Sequence, residues 1–362
     1  MRRMLVLSLL LPLAATAIAG CGDDSSQPDP TPQPDPQPST GPIDAPKSTW
    51  TWVDFPDSAC DDGTPTGIAV NKGDSKNLLV FMNGGGACWN YLTCFQLNTA
   101  AHGPFGKTQF DTFASQVGGS ILDRNTPNNP FADWNLVFIP YCTGDVHAGD
   151  NVIDYKGSSG NSRTYHHVGR ANIVAYLKRL GVTFSPEKFV VSGSSAGGFG
   201  AAFDYDLFRQ TFPSAKGYLV DDSGPALRGD AIASSLRDAW FQAWRLDKAL
   251  EPACPECRND LSQLTRISME RYPNDRLALL SSTRDSVISG YFMLSADNFE
   301  TALDDMLLTV LAPLPNYRYY VVTGQFHTFL GAPDLHPAQG AKLTDWLGKM
   351  VNDDEGWQSL KP

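Results

Sequence analysis

One segment, residues 188–200, holds the strongest candidate for chemistry in this sequence. It reads KFVVSGSSAGGFG, so a short apolar strand runs directly into a glycine-rich turn and then into a segment of helical character. This is the G-x-S-x-G pattern, in which a sharp turn at the end of a strand exposes a serine hydroxyl. Gly193 and Gly197 let strand and helix approach closely because they have no Cβ. The pattern predicts Ser195 as a nucleophile, although a glycine-rich turn without chemistry would share it.

A nucleophilic serine needs a base and an acid, and both follow in the chain order that this architecture uses. His327 comes directly after the last clear strand, at residues 317–323, where the general base is expected. Asp285 follows the strand at 276–282, and Asp222 follows the preceding strand. Both aspartates keep the order Ser, Asp, His, so the residues alone leave two candidates for the acid.

Glycines also end the buried strand predicted at residues 77–82, where Gly84, Gly85 and Gly86 precede Ala87-Cys88-Trp89. Backbone N–H groups in such a loop can point into a crevice and bind an oxyanion, and the amide of Ala196 would complete the set. A flexible loop or a phosphate-binding nest is the alternative. No Lys-Ser/Thr pair follows to make a P-loop, so the oxyanion role is favoured.

Polar residues follow a further buried strand, at 135–141. Asp145 and His147 lie in the loop after it and could face a substrate, but such residues more often hold a loop together. A helix is predicted over 163–180 from its apolar spacing, with His166 and His167 near its start as solvent-facing or capping residues.

These loops require a scaffold in which strands and helices alternate. Residues 48–362 show that alternation without a second linker or a repeat, and they predict one α/β domain with a mostly parallel, doubly wound sheet. An insertion at about 225–275 should lie over the same sheet end as a helical cap. Its aromatic residues Trp240, Phe241 and Trp244 could line an acyl pocket, although their spacing also fits simple packing.

The amino terminus indicates export. Residues 1–20 have the charged, apolar and small-residue regions of a signal peptide, and Ile18-Ala19-Gly20-Cys21 resembles a bacterial lipobox. We therefore expect a membrane-anchored lipoprotein, periplasmic or at the cell surface, lipidated at Cys21 and touching the membrane only there. Proline recurs through residues 22–47, which predicts an extended tether. The net charge of −11 argues against a nucleic-acid partner.

Six cysteines remain after Cys21, an even number that suggests disulfides in an exported chain. Fifteen pairings are possible. We favour Cys88–Cys94 and Cys254–Cys257 as local pairs, with Cys60–Cys142 by elimination. The C-P-E-C segment could instead be a redox dithiol or half of a zinc site, but no second ligand pair follows at zinc spacing.

Together these motifs resemble the pectin acetylesterase and Notum family of α/β-hydrolases. The residues that carry the resemblance are GGGACW at 84–89, PYCTGD at 140–145, GSSAGG at 193–198, DDSG at 221–224 and QFHT at 325–328. The resemblance implies a serine carboxylesterase with nucleophile Ser195, acid Asp285 and base His327. It also implies oxyanion amides at Gly85, Gly86 and Ala196, and a structural or site-lining role for Asp222.

We therefore expect a monomeric esterase that needs no metal or organic cofactor and removes acyl groups, acetyl above all, from a polysaccharide such as pectin. Removal of a longer acyl chain, as in the Notum branch, is the alternative. A non-catalytic, surface-anchored binding lipoprotein is a third possibility. The retention of serine, acid, base and glycine loop in one chain argues against it.

Overall fold

The computed structural model describes residues 40–362. The predicted signal peptide, Cys21 and most of the predicted tether lie outside these residues. None of the helices within them combines the length and the apolarity that a bilayer crossing requires. Ile43 and Ala45 are already buried in the core, so the folded part of the chain begins before residue 48 and includes residues that were assigned to the tether.

Ten strands make up the β-structure of residues 40–362. They are β1 (Thr51–Phe55), β2 (Thr66–Asn71), β3 (Leu78–Met82), β4 (Asn135–Ile139), β5 (Asn151–Lys156), β6 (Ser162–His167), β7 (Lys188–Ser194), β8 (Lys216–Asp222), β9 (Arg276–Ser282) and β10 (Tyr317–Val322). Eight form one sheet in the order β1-β2-β4-β3-β7-β8-β9-β10, and β5 pairs with β6 in a separate antiparallel hairpin. Only β1–β2 and β2–β4 pair antiparallel within the large sheet. The six parallel strands end together at what we call the carboxyl edge.

Nine α-helices connect and cover these strands in the described residues. They are α1 (Lys107–Ala114), α2 (Gly169–Thr183), α3 (Ala196–Thr211), α4 (Ser234–Trp244), α5 (Leu246–Ala249), α6 (Gln263–Arg271), α7 (Ser286–Tyr291), α8 (Ala296–Met306) and α9 (Leu343–Val351). The apolar side chains of α2, α3 and α8 pack on one face of the sheet, and those of α1 and α9 pack on the other. Successive residues of β3 alternate between the two cores, because strand side chains point to opposite faces. This is the predicted α/β-hydrolase-like fold.

One helix prediction began too early. Residues 162–167 form β6, which pairs with β5, and the helix starts only at Gly169. His167 is fully buried in this hairpin, with hydrogen bonds of its ring to Tyr155 Oη (2.9 Å) and Thr143 O (3.0 Å), so its predicted solvent or capping role is wrong.

Three disulfides link the six described cysteines in the pairing that was favoured: Cys60–Cys142, Cys88–Cys94 and Cys254–Cys257. Cys60–Cys142 ties the loop after β1 to the loop after β4 across 82 residues of sequence. Cys254–Cys257 closes a turn between α5 and α6 within the predicted cap insertion, which the structure shows as a helical segment between β8 and β9.

Candidate active site

Ser195 lies in the one-residue turn between β7 and α3. Its backbone has φ 59° and ψ −122°, a region that costs energy for any residue with a Cβ. A Cβ at Gly193 would press on the Gly197 backbone, and one at Gly197 would press on the carbonyl of Met82. The two glycines therefore permit the tight turn, and the Ser195 amide is fixed by a 2.7 Å hydrogen bond to the carbonyl oxygen of Asp222.

Of the two candidate acids, Asp285 is the one that bonds the imidazole. Its Oδ2 lies 2.7 Å from Nδ1 of His327, and its other oxygen accepts hydrogen bonds from the amides of Val287 (2.9 Å) and Ile288 (3.0 Å) as the N-cap of α7. An ionised carboxylate can only accept, so Nδ1 carries the proton and Nε2 of His327 is left as an acceptor. That tautomer is the one a general base requires.

Asp222 is fully buried and makes a different set of contacts. Its carboxylate accepts a 2.6 Å hydrogen bond from Ser194 Oγ and further hydrogen bonds from the amides of Phe329 and Leu330. Burial raises the pKa of Asp222, while these donors favour the carboxylate. The residue thus contacts both the turn that carries Ser195 and the loop that carries His327.

The glycine loop after β3 is held from both sides. Gly85 accepts a hydrogen bond from the amide of Ala101 (2.6 Å), and Ala87 donates one to the carbonyl of Thr99 (3.1 Å). Gly86 lies between these two hydrogen bonds with φ 77°, a backbone conformation that glycine adopts without strain because it has no Cβ. Within residues 40–362, the amides of Gly85, Gly86 and Ala196 have no acceptor from the protein, which leaves them available to an oxyanion.

An apolar cavity of about 50 Å³ adjoins Ser195 and opens toward solvent. Gly86, Ala87 and Ala196 contribute to its wall near the serine. Seven aromatic residues form much of the remainder: Trp89, Phe199, Phe203, Trp240, Trp244, Tyr291 and Phe292. Apart from Ser195, its lining residues carry no hydroxyl or charge except the phenol of Tyr291. The cavity can hold an apolar group next to the serine hydroxyl.

The cap supplies part of this wall. Trp240 and Trp244 stack with their rings 5.9 Å apart and nearly parallel, and Trp89 meets Trp240 edge to face. Trp244 also donates a 2.8 Å hydrogen bond from Nε1 to the carbonyl of Cys88, so the cap contacts the glycine loop directly. Two of the three predicted cap aromatics therefore line the cavity, while Phe241 packs in the core.

Asp145 and His147 hold loops together rather than lining this cavity. Asp145 accepts hydrogen bonds from the Thr143 hydroxyl (2.6 Å) and from the amides of His147 and Gly169, and burial raises its pKa to about 7. His147 bonds the carbonyl of Asn83 through Nε2 (2.9 Å), and burial lowers its pKa to about 4. His147 thus braces the strand end from which the glycine loop starts, and Asp145 ties its own loop to the start of α2.

Two tyrosines of this region have roles that the sequence did not indicate. Tyr141 Oη donates to the carbonyl of Gly86 (2.9 Å) and accepts from the amide of Val146 (2.8 Å), which joins two loops at the carboxyl edge. Tyr291 Oη donates to the carbonyl of Thr99 and lines the cavity. Tyr141 lies within the PYCTGD motif, but nothing in that motif reveals which backbone group its hydroxyl bonds.

One group of side chains in the described part of the chain has the spacing of a metal site. Ligand atoms of Cys88, Cys94 and His167 lie within 4.8 Å of one another. Both sulfurs are joined in a disulfide, however, and metals bind the thiolate, so this group does not form a metal centre.

The fold places a serine at a sharp strand-to-helix turn, beside a histidine–aspartate pair and a glycine loop. This combination defines the α/β-hydrolase class. A family model described as Pectinacetylesterase matches residues 49–274, and the chain belongs to this family.

Among curated relatives, palmitoleoyl-protein carboxylesterase NOTUM of Schmidtea mediterranea is 31% identical over 165 residues, which is 43% of this chain and 30% of that protein. Pectin acetylesterase 11 of Arabidopsis thaliana is 29% identical over 306 residues, 65% of this chain and 75% of the relative. Human NOTUM is 28% identical over 188 residues, 50% of this chain and 34% of that protein. The chain thus spans about a third of these NOTUM proteins and three quarters of the plant enzyme.

Proposed function

We propose that this protein is a serine carboxylesterase in which Ser195 attacks the ester carbonyl, His327 is the general base and Asp285 orients the imidazole. The observation that carries the proposal is the 2.7 Å hydrogen bond between His327 Nδ1 and Asp285, on a loop tied by Asp222 to the turn that presents Ser195. Membership in a family that contains named carboxylesterases and acetylesterases supports it.

The reaction would proceed through an acyl-enzyme. Nε2 of His327 takes the proton of the Ser195 hydroxyl as its oxygen attacks the ester carbonyl, and the imidazolium then protonates the departing alcohol. Water, deprotonated by the same imidazole, attacks the acyl-enzyme and releases the carboxylic acid. The amides of Gly85, Gly86 and Ala196 would stabilise the oxyanion in both halves, each donor being worth about 2.7–4 kcal/mol.

The cavity next to Ser195 bears on how long an acyl chain the substrate carries. Its lining is apolar and largely aromatic, so any methylene of an acyl group that enters it is removed from water. Each methylene buried there is worth about 0.8 kcal/mol, or about a fourfold gain in kcat/KM. We therefore favour an acyl chain longer than acetyl, in line with the name of the palmitoleoyl-protein carboxylesterases. Acetyl removal from a polysaccharide remains the competing prediction, in line with the name of the plant relative.

The proposal includes the location of the protein outside the cytoplasm. Three disulfides favour an exported protein. Anchoring through a lipid on Cys21 stays a prediction, tested by metabolic labelling with a fatty-acid probe in the wild-type protein and in Cys21→Ser.

Hydrolysis of p-nitrophenyl esters from C2 to C12, beside acetylated pectin and xylan, tests the activity and the acyl preference together. Wild-type protein should be most active above C2, and Ser195→Ala should be inactive while folded. The exposed Ser115→Ala serves as the matched control and should keep full activity. Retained turnover in Ser195→Ala would remove Ser195 from the mechanism, an optimum at acetyl would favour the polysaccharide acetylesterase, and an inactive wild type would support the binding lipoprotein.

A further inference from the structure

The end of β8 contains two adjacent buried residues, which we call the hub, that take no part in the proton transfers of the proposed mechanism. Asp222 is the last residue of β8 and Ser223 follows it, with β7 on one side of this strand end and β9 on the other. Both are fully buried, and Ser223 has φ 64°, an uncommon conformation for a serine. Such conformations persist only where surrounding contacts hold them.

One set of hub contacts holds the turn that carries the nucleophile. The carbonyl of Asp222 accepts the amide of Ser195 at 2.7 Å, and its carboxylate accepts the hydroxyl of Ser194 at 2.6 Å. The same residue thus bonds the nucleophile's own backbone and the side chain immediately before it.

A second set of contacts holds the loop that carries His327, the proposed general base. The carboxylate of Asp222 accepts the amides of Phe329 (2.9 Å) and Leu330 (3.0 Å), and Ser223 Oγ accepts the amide of Thr328 (3.0 Å). Three consecutive amides directly after His327 are therefore bonded to two adjacent side chains. Hydrogen bonds to a buried, charged acceptor are stronger than neutral ones.

We propose that Asp222 and Ser223 are positioning residues that fix the distance between Ser195 and His327. This inference rests on the proposed esterase mechanism. It states that a carboxylate other than Asp285 keeps the nucleophile and the base close to each other. Asp285 fixes the rotation and tautomer of the imidazole, whereas the hub fixes where the loop that bears it lies relative to the turn. A displacement of about 1 Å between reacting groups can cost about 100-fold in rate.

Asp222→Asn tests the assignment, because the amide replaces one acceptor oxygen by a donor that faces other donors. We expect kcat for p-nitrophenyl butyrate to fall about 100-fold with little change in KM, and the Phe329 and Leu330 amides to exchange hydrogen faster. Asp275→Asn is the matched control. Asp275 is a buried aspartate before β9, at the opposite end of that strand from the site, and it accepts hydrogen bonds from Tyr205 Oη and the Gly217 amide. Its variant should be destabilised but keep kcat within twofold when assayed well below its melting temperature.

Ser223→Ala provides a milder variant, which removes the acceptor of the Thr328 amide and the donor of a 3.2 Å hydrogen bond to the Asp222 carboxylate. It should lower kcat about fivefold, equivalent to about 1 kcal/mol. If Asp222→Asn does not fold, the kcat of Ser223→Ala tests the assignment on its own. A kcat within twofold of wild type in the folded hub variants, or an equal loss in Asp275→Asn, would overturn the assignment. Failure of the esterase proposal is recognised separately, by an inactive wild type or an active Ser195→Ala. In that event the exchange rates of the Phe329 and Leu330 amides still decide whether the hub holds the loop.

Discussion

Replacing Asp285 by asparagine should impair catalysis far more than it impairs folding. One oxygen of Asp285 accepts the amides of Val287 and Ile288, so the asparagine must keep its own oxygen at that position. Its amide nitrogen is then placed where Oδ2 now meets His327 Nδ1 at 2.7 Å. An N–H donor there requires an unprotonated Nδ1, which moves the ring proton to Nε2 and leaves no acceptor for the Ser195 proton.

The expected loss is about 10⁴-fold in kcat, equivalent to about 5.4 kcal/mol of transition-state stabilisation. Asparagine caps helices as well as aspartate does, so the free energy of unfolding should change by less than about 1 kcal/mol. The assay is steady-state hydrolysis of the preferred p-nitrophenyl ester at neutral pH, with urea unfolding measured on the same preparation.

Asp285→Ala serves as the comparison. It removes the carboxylate without imposing a tautomer, so its kcat should be no lower than that of Asp285→Asn, while its lost helix cap should cost about 1 kcal/mol of stability. Retention of more than a tenth of wild-type kcat by Asp285→Asn would refute the reasoning about the tautomer.

Two further predictions concern the loops around the site. Gly86→Ala should lower kcat by about 10²–10³-fold, because its Cβ would meet the Thr99 carbonyl and the Tyr291 hydroxyl and displace an oxyanion amide. Gly118→Ala is the control and should leave kcat unchanged, because a Cβ there meets open space. Equal kcat in the two variants would contradict the oxyanion role. His147→Gln should change how stability depends on pH. The pKa of His147 is about 4 when folded against about 6.5 when unfolded, so its contribution is complete above pH 6.5 and is lost as the pH falls toward 4. The stability advantage of wild type over the variant should therefore shrink by about 2 kcal/mol between pH 7 and pH 5 in urea titrations, and a constant difference would contradict the burial argument.

The sheet could be predicted because its strands are short apolar runs bounded by glycine, proline and polar residues. The predicted bounds of β3, β4, β9 and β10 lie within about two residues of the observed strand ends. The meeting of Asp285 and His327 followed from the rule that parallel strands end at the same edge. These features depend on local composition and on general topology.

The choice between Asp222 and Asp285 could not be made from the residues, because both follow strands in the right order. It depends on which carboxylate reaches the imidazole, and that is set by α7 starting at Asp285. The β5–β6 hairpin was missed for a related reason. Its second strand has a spacing compatible with a helix, and only pairing with residues 151–156 makes it a strand.

Helix α7 has a double role whose consequence concerns how this protein could change over evolution. It is six residues long, Asp285 caps its first turn, and Ile288 and Tyr291 on its inner side form part of the cavity wall. A substitution that reshapes the wall there also moves the carboxylate. Acyl preference should therefore diversify through the cap, at positions such as Trp240, where the wall can be altered without disturbing the reactive groups.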